Sequence, residues 1–277
     1  MSDPTIEPIV IRRAESPADY IACQDAQRRS WGLVDESYVV PVATLVGANL
    51  HGGLVLGAFL EDGTAAGLSF AFLGKIDGML GLYSQLTGVV PEYQGRGLGR
   101  RMKQAQFMIA EAEGLACVAW AFDPLQAGNA RFNLETLQAT ASHYVVDMYG
   151  PRTDDLNAGT PTDRLIAVWE PGQPTRPALP DRPFEALPSL IDPDGPAARP
   201  IEGQGMPPLA LLEIPGDLAA LRASAPERAN RWRLAARGAF EDAFGKGYRA
   251  VGTVRAGDGE ERRQAYVLHR PPGEGAG

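Results

Sequence analysis

A chain of 277 residues, 44% hydrophobic and 22% charged, is long enough to bury a sizeable core in one or two domains. Its net charge of -8 opposes nonspecific nucleic-acid binding, so no nucleic-acid partner is expected. No segment approaches the apolar length that spans a bilayer, and "MSDPTIEPIVIRR" lacks a basic start followed by an apolar core, so a cytoplasmic protein without a membrane partner is the expectation.

"PIVIRRA" alternates as a strand, and Ser16-Pro17-Ala18-Asp19 then offers an N-cap, a proline at the first helical position and an acid three residues after the cap, opening a helix to about Ser30. "WGLVDESYVVP" reads as an aromatic and acidic loop, followed by a short helix from Pro41 to His51-Gly52-Gly53. The strands "LVLGAFL", "AAGLSFAFLG" and "LGLYSQLTGVV", with turns at Glu61-Asp62-Gly63 and Asp77-Gly78, form an antiparallel meander. From Leu98 the apolar positions Leu98, Met102, Ala105, Ile109 and Ala112 mark one face of a helix whose outer face is Arg, Lys, Gln and Glu.

Gly114 closes that helix, "LACVAWAF" reads as a buried strand, and "PLQAGNARFNLETLQA" as a loop running into a second helix. "SHYVVDMYG" and "RLIAVWE" are two further strands. Residues 171 to 208 carry eleven prolines and no periodicity, which marks a linker, extended but able to lie along the surface. "LALLEIP" is strand-like, Ser224-Ala225-Pro226-Glu227 reads as a capping box opening a helix to Gly245, and "YRAVGTVR" with "RQAYVLHR" make a hairpin. This helix, strand, strand ending repeats the pattern of 129 to 170. The expected domains are therefore 1–170, a linker at 171–205, and an extension at 206–277.

Cys23 and Cys117 lie far apart, and a reduced core thiol is the reading for the latter. The histidines at 51, 143 and 269 offer no metal-ligand spacing, so no metal is expected.

The segment "VVPEYQGRGLG" stands between the meander and the helix from Leu98. Its glycines do not fit a dinucleotide fingerprint, because the sixth residue from Gly95 is Arg100, and it lacks the Gly-Lys-Ser/Thr of a Walker loop. A strand, tight turn and helix N-terminus nevertheless attract a pyrophosphate. Gly95, Gly97 and Gly99 let phosphates approach the backbone, while Gln94, Arg96 and Arg100 add donors, within a basic cluster completed by Arg101 and Lys103. The plainer reading is a glycine-rich helix start on the surface.

"LTGVVPEYQGRGLGRRMKQA" resembles the acetyl-coenzyme A signature of the GNAT acyltransferases, Gln/Arg-x-x-Gly-x-Gly/Ala after a strand, here Gln94, Gly97 and Gly99. The order of elements from Ile9 to about Glu170 also matches. The resemblance implies an α/β (α+β) GNAT fold: a mixed, mostly antiparallel sheet splayed between strands four and five, with flanking helices and here a smaller C-terminal helix-hairpin extension. It implies acetyl-coenzyme A as cofactor and N-acetyl transfer to a small-molecule amine. Val89 and Val90 would pair with the pantetheine arm, the N–H groups from Gln94 through Gly95, Arg96, Gly97, Leu98 and Gly99 to Arg100 would hold the pyrophosphate, and Asn129 would bond the arm, with Phe132 packing nearby. Asn129 reads equally as a helix N-cap.

Family members often carry a tyrosine on the helix after strand five as general acid, and here Leu134 stands in its place. The acid is then absent, dispensable, or displaced to a residue such as Tyr149 or Asn133. For the general base, Asp123 after strand five is the first candidate and His143 the second. Their plainer readings are an Asp-Pro turn and a structural histidine. Tyr83, Ser84 and Gln85 would face the acceptor, and the Val89 N–H would hold the developing negative oxygen. Trp31, Asp35, Glu36 and Tyr38, with Asp154, Asp155 and Asn157, form an aromatic and acidic set suited to a cationic amine. The competing expectation is a non-catalytic acetyl-coenzyme A sensor or assembly protein. The extension is expected to add strands to its own sheet or to a partner's, which brings in a homodimer.

Overall fold

The computed structural model describes residues 8–150, 161–172, 176–192, 194, 196–199, 207–257 and 262–271. By internal contact the chain divides into two compact units, Met1–Trp120 with Trp169–Pro171, and Ala121–Val168 with Gly172–Gly277. This division does not follow the compositional boundaries at 170 and 205. It falls inside two strands, after Trp120 and after Val168, and side chains of the C-terminal residues are bonded to the segment 121–168, as described below.

The first unit begins with β1 (Val10–Arg13), α1 (Pro17–Trp31) and α2 (Val42–Leu50). Strands β2 (Leu54–Phe59), β3 (Ala65–Ile76) and β4 (Met79–Val89) follow, then α3 (Leu98–Ala112) and β5 (Val118–Phe122). Strands β1 to β4 pair antiparallel in chain order. The capping box of α1 is formed, with the Asp19 N–H donating to Ser16 Oγ at 3.2 Å and the Ser16 N–H to Asp19 Oδ2 at 3.1 Å. Tyr20, Cys23, Leu45, Leu68, Phe70, Leu98 and Met102 lie in one buried cluster that joins α1, α2 and α3 to the meander. Both cysteines are free and buried, and burial pushes the Cys23 thiol up to about 12.

Helix α3 departs from its expected register. Its buried residues are Leu98, Met102, Lys103, Gln106, Phe107 and Ala110, so a lysine and a glutamine face inward. Phe107 shares this face, its ring stacking 4.4 Å from Trp169 and 5.8 Å from Trp120.

The second unit holds α4 (Ala127–Arg131), a π-helical turn (Phe132–Thr136), β6 (Thr140–Val145) and β7 (Arg164–Trp169). Beyond α5 (Pro183–Ala186) come β8 (Leu209–Ile214), α6 (Leu218–Ser224), α7 (Pro226–Gly245), β9 (Arg249–Ala256) and β10 (Arg263–His269). Ser224 is not the expected cap. It ends α6, donating its hydroxyl to the Ala220 carbonyl at 2.8 Å, and α7 starts on Ala225 without a side-chain cap.

Its strands run in the order β7-β6-β9-β10-β8. The hairpin β6–β7 follows α4 and the hairpin β9–β10 follows α7, and the two meet through the antiparallel pair Ala141–Ala250. The order is therefore close to palindromic, with β6 and β9 at its centre. Packing is also crosswise: α7 lies on β6, and the π-helical turn lies on β9. Residues 226–269 thus also run helix, strand, strand, and β9 extends β6 within the chain's own sheet. Residues 188–190 of the proline-rich segment lie along β8, where the Leu190 N–H donates to Leu211 O at 2.7 Å and the Leu211 N–H to Pro188 O at 2.8 Å. That pairing covers an otherwise open sheet edge. Among the described residues, no helix is long and apolar enough to cross a membrane.

Candidate functional site

Strand β4 is parallel to β5 only at Leu82–Val118 and Tyr83–Ala119. Among the described residues no pairing on that side is found from Ser84 to Val89, while pairing with β3 continues to Gly67–Val89. This is the splay that the resemblance implies. The β3–β4 ladder slips at Phe70/Ala71, leaving Gln85 as a bulge. The extra residue puts Ser84 and Thr87, three apart, on one face, where Ser69 Oγ and Thr87 Oγ1 lie 2.9 Å apart. At the far end the Val90 N–H donates to Ala66 O on β3 at 3.0 Å. Strand alternation then turns the N–H and C=O of Val89 away from β3. Gln94 Nε2 donates to that Val89 carbonyl at 2.9 Å, leaving the N–H as the open donor.

The turn into α3 uses two left-handed glycines, Gly95 and Gly97, both at φ 73°. A Cβ on either would meet nothing within 4 Å, so backbone conformation and open space, rather than crowding by the protein, define these positions. Gly99 has no such φ, and a Cβ there would only touch Val89 at 3.8 Å. The Arg101 N–H donates to Gly97 O at 3.1 Å, so Leu98, Gly99 and Arg100, one turn earlier, have no intrahelical acceptor for their N–H groups. Arg96 and Arg100 are exposed and form no ion pair among the described residues. These residues suit a pyrophosphate: free N–H groups at a helix N-terminus, two exposed guanidiniums, that of Arg96 5.5 Å from the Tyr93 ring centre, and no side chain in the way.

Lys103 does not belong to this basic cluster. It is 5% exposed, its Nζ donates to Ser84 Oγ at 2.8 Å and to Gln106 Oε1 at 3.1 Å, and it lies 4.0 Å from the Trp120 ring centre. Gln106 Nε2 in turn donates to Ser69 Oγ at 3.3 Å. Burial alone lowers the amine to about 7. The network sits beneath β4 at the first residue past the last β5 pair. Sequence pattern missed it because a lysine at a helical position ordinarily signals the solvent face.

Asp123 lies in a bidentate ion pair with Arg233 of α7, at 2.8 and 2.9 Å, and also accepts the Leu125 N–H at 2.9 Å. This is the Asp-Pro turn of the plainer reading, braced by an arginine 110 residues away. His143 is exposed on β6, its Nδ1 3.2 Å from Ser142 Oγ. Tyr149 is 38% exposed beyond β6, its ring 5.3 Å from the Arg164 guanidinium. Asn129 is exposed inside α4, whose N-cap is Gln126, so it is no cap. Phe132 opens the π-helical turn, and Leu134 is fully buried, so the tyrosine's place is filled by core packing.

Of the acceptor set, Trp31 lies against β4: a Cβ on Gly88 would come within 2.6 Å of its ring. The acids are engaged. Glu36 forms a bidentate pair with Arg28, and Asp35 Oδ1 accepts the Ser37 N–H at 2.9 Å. Asp154, Asp155 and Asn157 lie outside the described residues. Among the described residues no group of three or more His, Cys, Asp or Glu could hold a metal.

No family model matches this chain, and no curated protein matches it. Solved structures do. A protein from Desulfovibrio desulfuricans assigned to the GNAT acetyltransferases is 20% identical with a TM-score of 0.46, over 59% of this chain and 99% of its own. The ribosomal-protein-S18-alanine N-acetyltransferase of Escherichia coli is 17% identical with a TM-score of 0.46, over 62% and 99%. A Salmonella typhimurium protein assigned as an acetyltransferase and solved with acetyl-CoA is 20% identical with a TM-score of 0.46, over 62% and 98%.

Proposed function

We propose that this chain is an acyltransferase that uses acetyl-coenzyme A to acetylate a primary amine of a small molecule. The observation that carries this is the unpaired edge of β4, ending in the open N–H of Val89 and running into the left-handed turn at Gly95 and Gly97. Acetyl-coenzyme A, when bound, supplies an acetyl group already activated as a thioester. The edge from Ser84 to Val90 would orient the pantetheine arm as an added strand, and the N–H groups of Leu98, Gly99 and Arg100, with Arg96, would hold the pyrophosphate. Asn129 and Phe132 are assigned to the same cofactor by the resemblance. The Val89 N–H is aimed to receive negative charge. His143 and Tyr149 are the side chains we assign to moving protons, and Asp123, held by Arg233, positions the loop after β5.

A second reading rests on Leu134 and Asp123. With the tyrosine's place filled by a buried leucine and the first candidate base in an ion pair, a cofactor-binding sensor that transfers nothing is the alternative. Calorimetry with acetyl-coenzyme A and thiol release with a panel of amines separate the two. Gly97→Glu should abolish binding, while Gly99→Ala, at an ordinary φ, should fold and bind nearly as the parent does. Arg96→Ala should lower affinity by on the order of 1 to 3 kcal/mol. Unchanged affinity in Gly97→Glu would overturn the cofactor assignment; binding without thiol release from any amine would favour the sensor.

A further inference from the structure

The second unit contains a cavity of about 270 Å³ lined by Arg131, Glu135, Thr253, Arg255 and Gln264. Its wall is α4 with the π-helical turn, and its floor is the β9–β10 hairpin. One carboxylate lies in it, and that one is already engaged: Glu135 Oε1 accepts the Thr253 N–H at 2.5 Å and its Oε2 pairs with Arg176 at 2.6 Å. Gln264 is 6% exposed and anchored through its Nε2 on the Ala127 carbonyl at 3.2 Å. Arg131 and Arg255 are exposed and form no ion pair among the described residues. Thr253 and Arg255, two apart on β9, share a face of the strand.

We infer that this cavity is a binding site for a compact doubly charged anion, a phosphate group or a short dicarboxylate, held between the Arg131 and Arg255 guanidiniums. Guanidinium forks bind such oxygens bidentately, and the Thr253 hydroxyl, 3.5 Å from Glu135 Oε1, lines the same space. Glu135 does not oppose the ligand, since Arg176 offsets its charge. The site exists because the C-terminal hairpin closes over the π-helical turn. A ligand there ties the hairpin to α4, the helix that carries Asn129, and so joins the extension to the element assigned to the cofactor.

The test is calorimetry of the full-length protein with inorganic phosphate and, separately, succinate, against chloride at equal ionic strength. Saturable binding of at least one is expected, and which of the two binds identifies the ligand class. Arg131→Gln combined with Arg255→Gln should weaken it by roughly tenfold or more, and both positions are exposed, so the variant should keep its melting temperature without ligand. Arg96→Ala with Arg100→Ala controls for anions at the glycine turn and should leave this binding in place. Saturable binding of neither anion, or binding lost in the Arg96/Arg100 variant and kept in the Arg131/Arg255 variant, overturns the proposal. Neither outcome depends on acetyl transfer, so the proposed activity stands or falls separately.

Discussion

Arg233→Ala is expected to destabilise the protein by about 3 to 5 kcal/mol, because it leaves the Asp123 carboxylate shielded from water without its partner. The two side chains are 4% and 12% exposed, and both guanidinium bonds are short. Burial works against the Arg233 charge, but the bond and the charge of Asp123 outweigh it and the guanidinium is held protonated. A similar arrangement stands beside it, where Arg237 grips Asp163 at 2.9 and 3.1 Å and Tyr144 donates to the same carboxylate at 2.6 Å. Urea denaturation measures the loss. Arg233→Met with Asp123→Leu should recover much of it, since a shape-filling apolar pair avoids the stranded charge. A cost below about 1 kcal/mol for Arg233→Ala would show that water reaches Asp123 freely.

The second large effect concerns Lys103 and pH. Its amine lies near 7 in the fold and at the ordinary 10.5 in the unfolded chain, so between these values the unfolded chain holds one more proton. Stability contributed by this residue therefore rises with pH across that window, at up to about 1.4 kcal/mol per pH unit. Cys23 acts in the opposite sense above its ordinary 9.0, so the measurement belongs between pH 7 and 9. Lys103→Met should flatten the rise over this range and narrow its deficit, or gain most, at the acid end. Parallel stability curves for parent and variant would show that Lys103 keeps an ordinary amine.

These two residues mark where sequence reading stopped. The glycine turn was legible because Gly95 and Gly97 stand at a left-handed φ that favours glycine, a local preference that sequence displays. The meander was legible for the same reason, its turns and alternating strands being local. Lys103 was not, because its burial depends on Ser84 and Trp120, contributed by two separate strands. The Asp123–Arg233 pair joins residues 110 apart, beyond any local pattern. The helix and hairpin at the C-terminus could be read; the crosswise packing, α7 on β6 and the π-helical turn on β9, could not.

The near-palindromic order of β7-β6-β9-β10-β8 also has a bearing on how the protein is made. Strand β6 has no neighbour on its β9 side until about a hundred further residues have left the ribosome, since its partner Ala250 stands that far along the chain from Ala141. Throughout that interval a nascent chain presents open backbone donors and acceptors that any passing strand could engage. Arg233 and Arg237, on the helix synthesised just before β9, reach the same region through Asp123 and Asp163, so charge pairing is available to hold the growing unit while its last hairpin is still arriving.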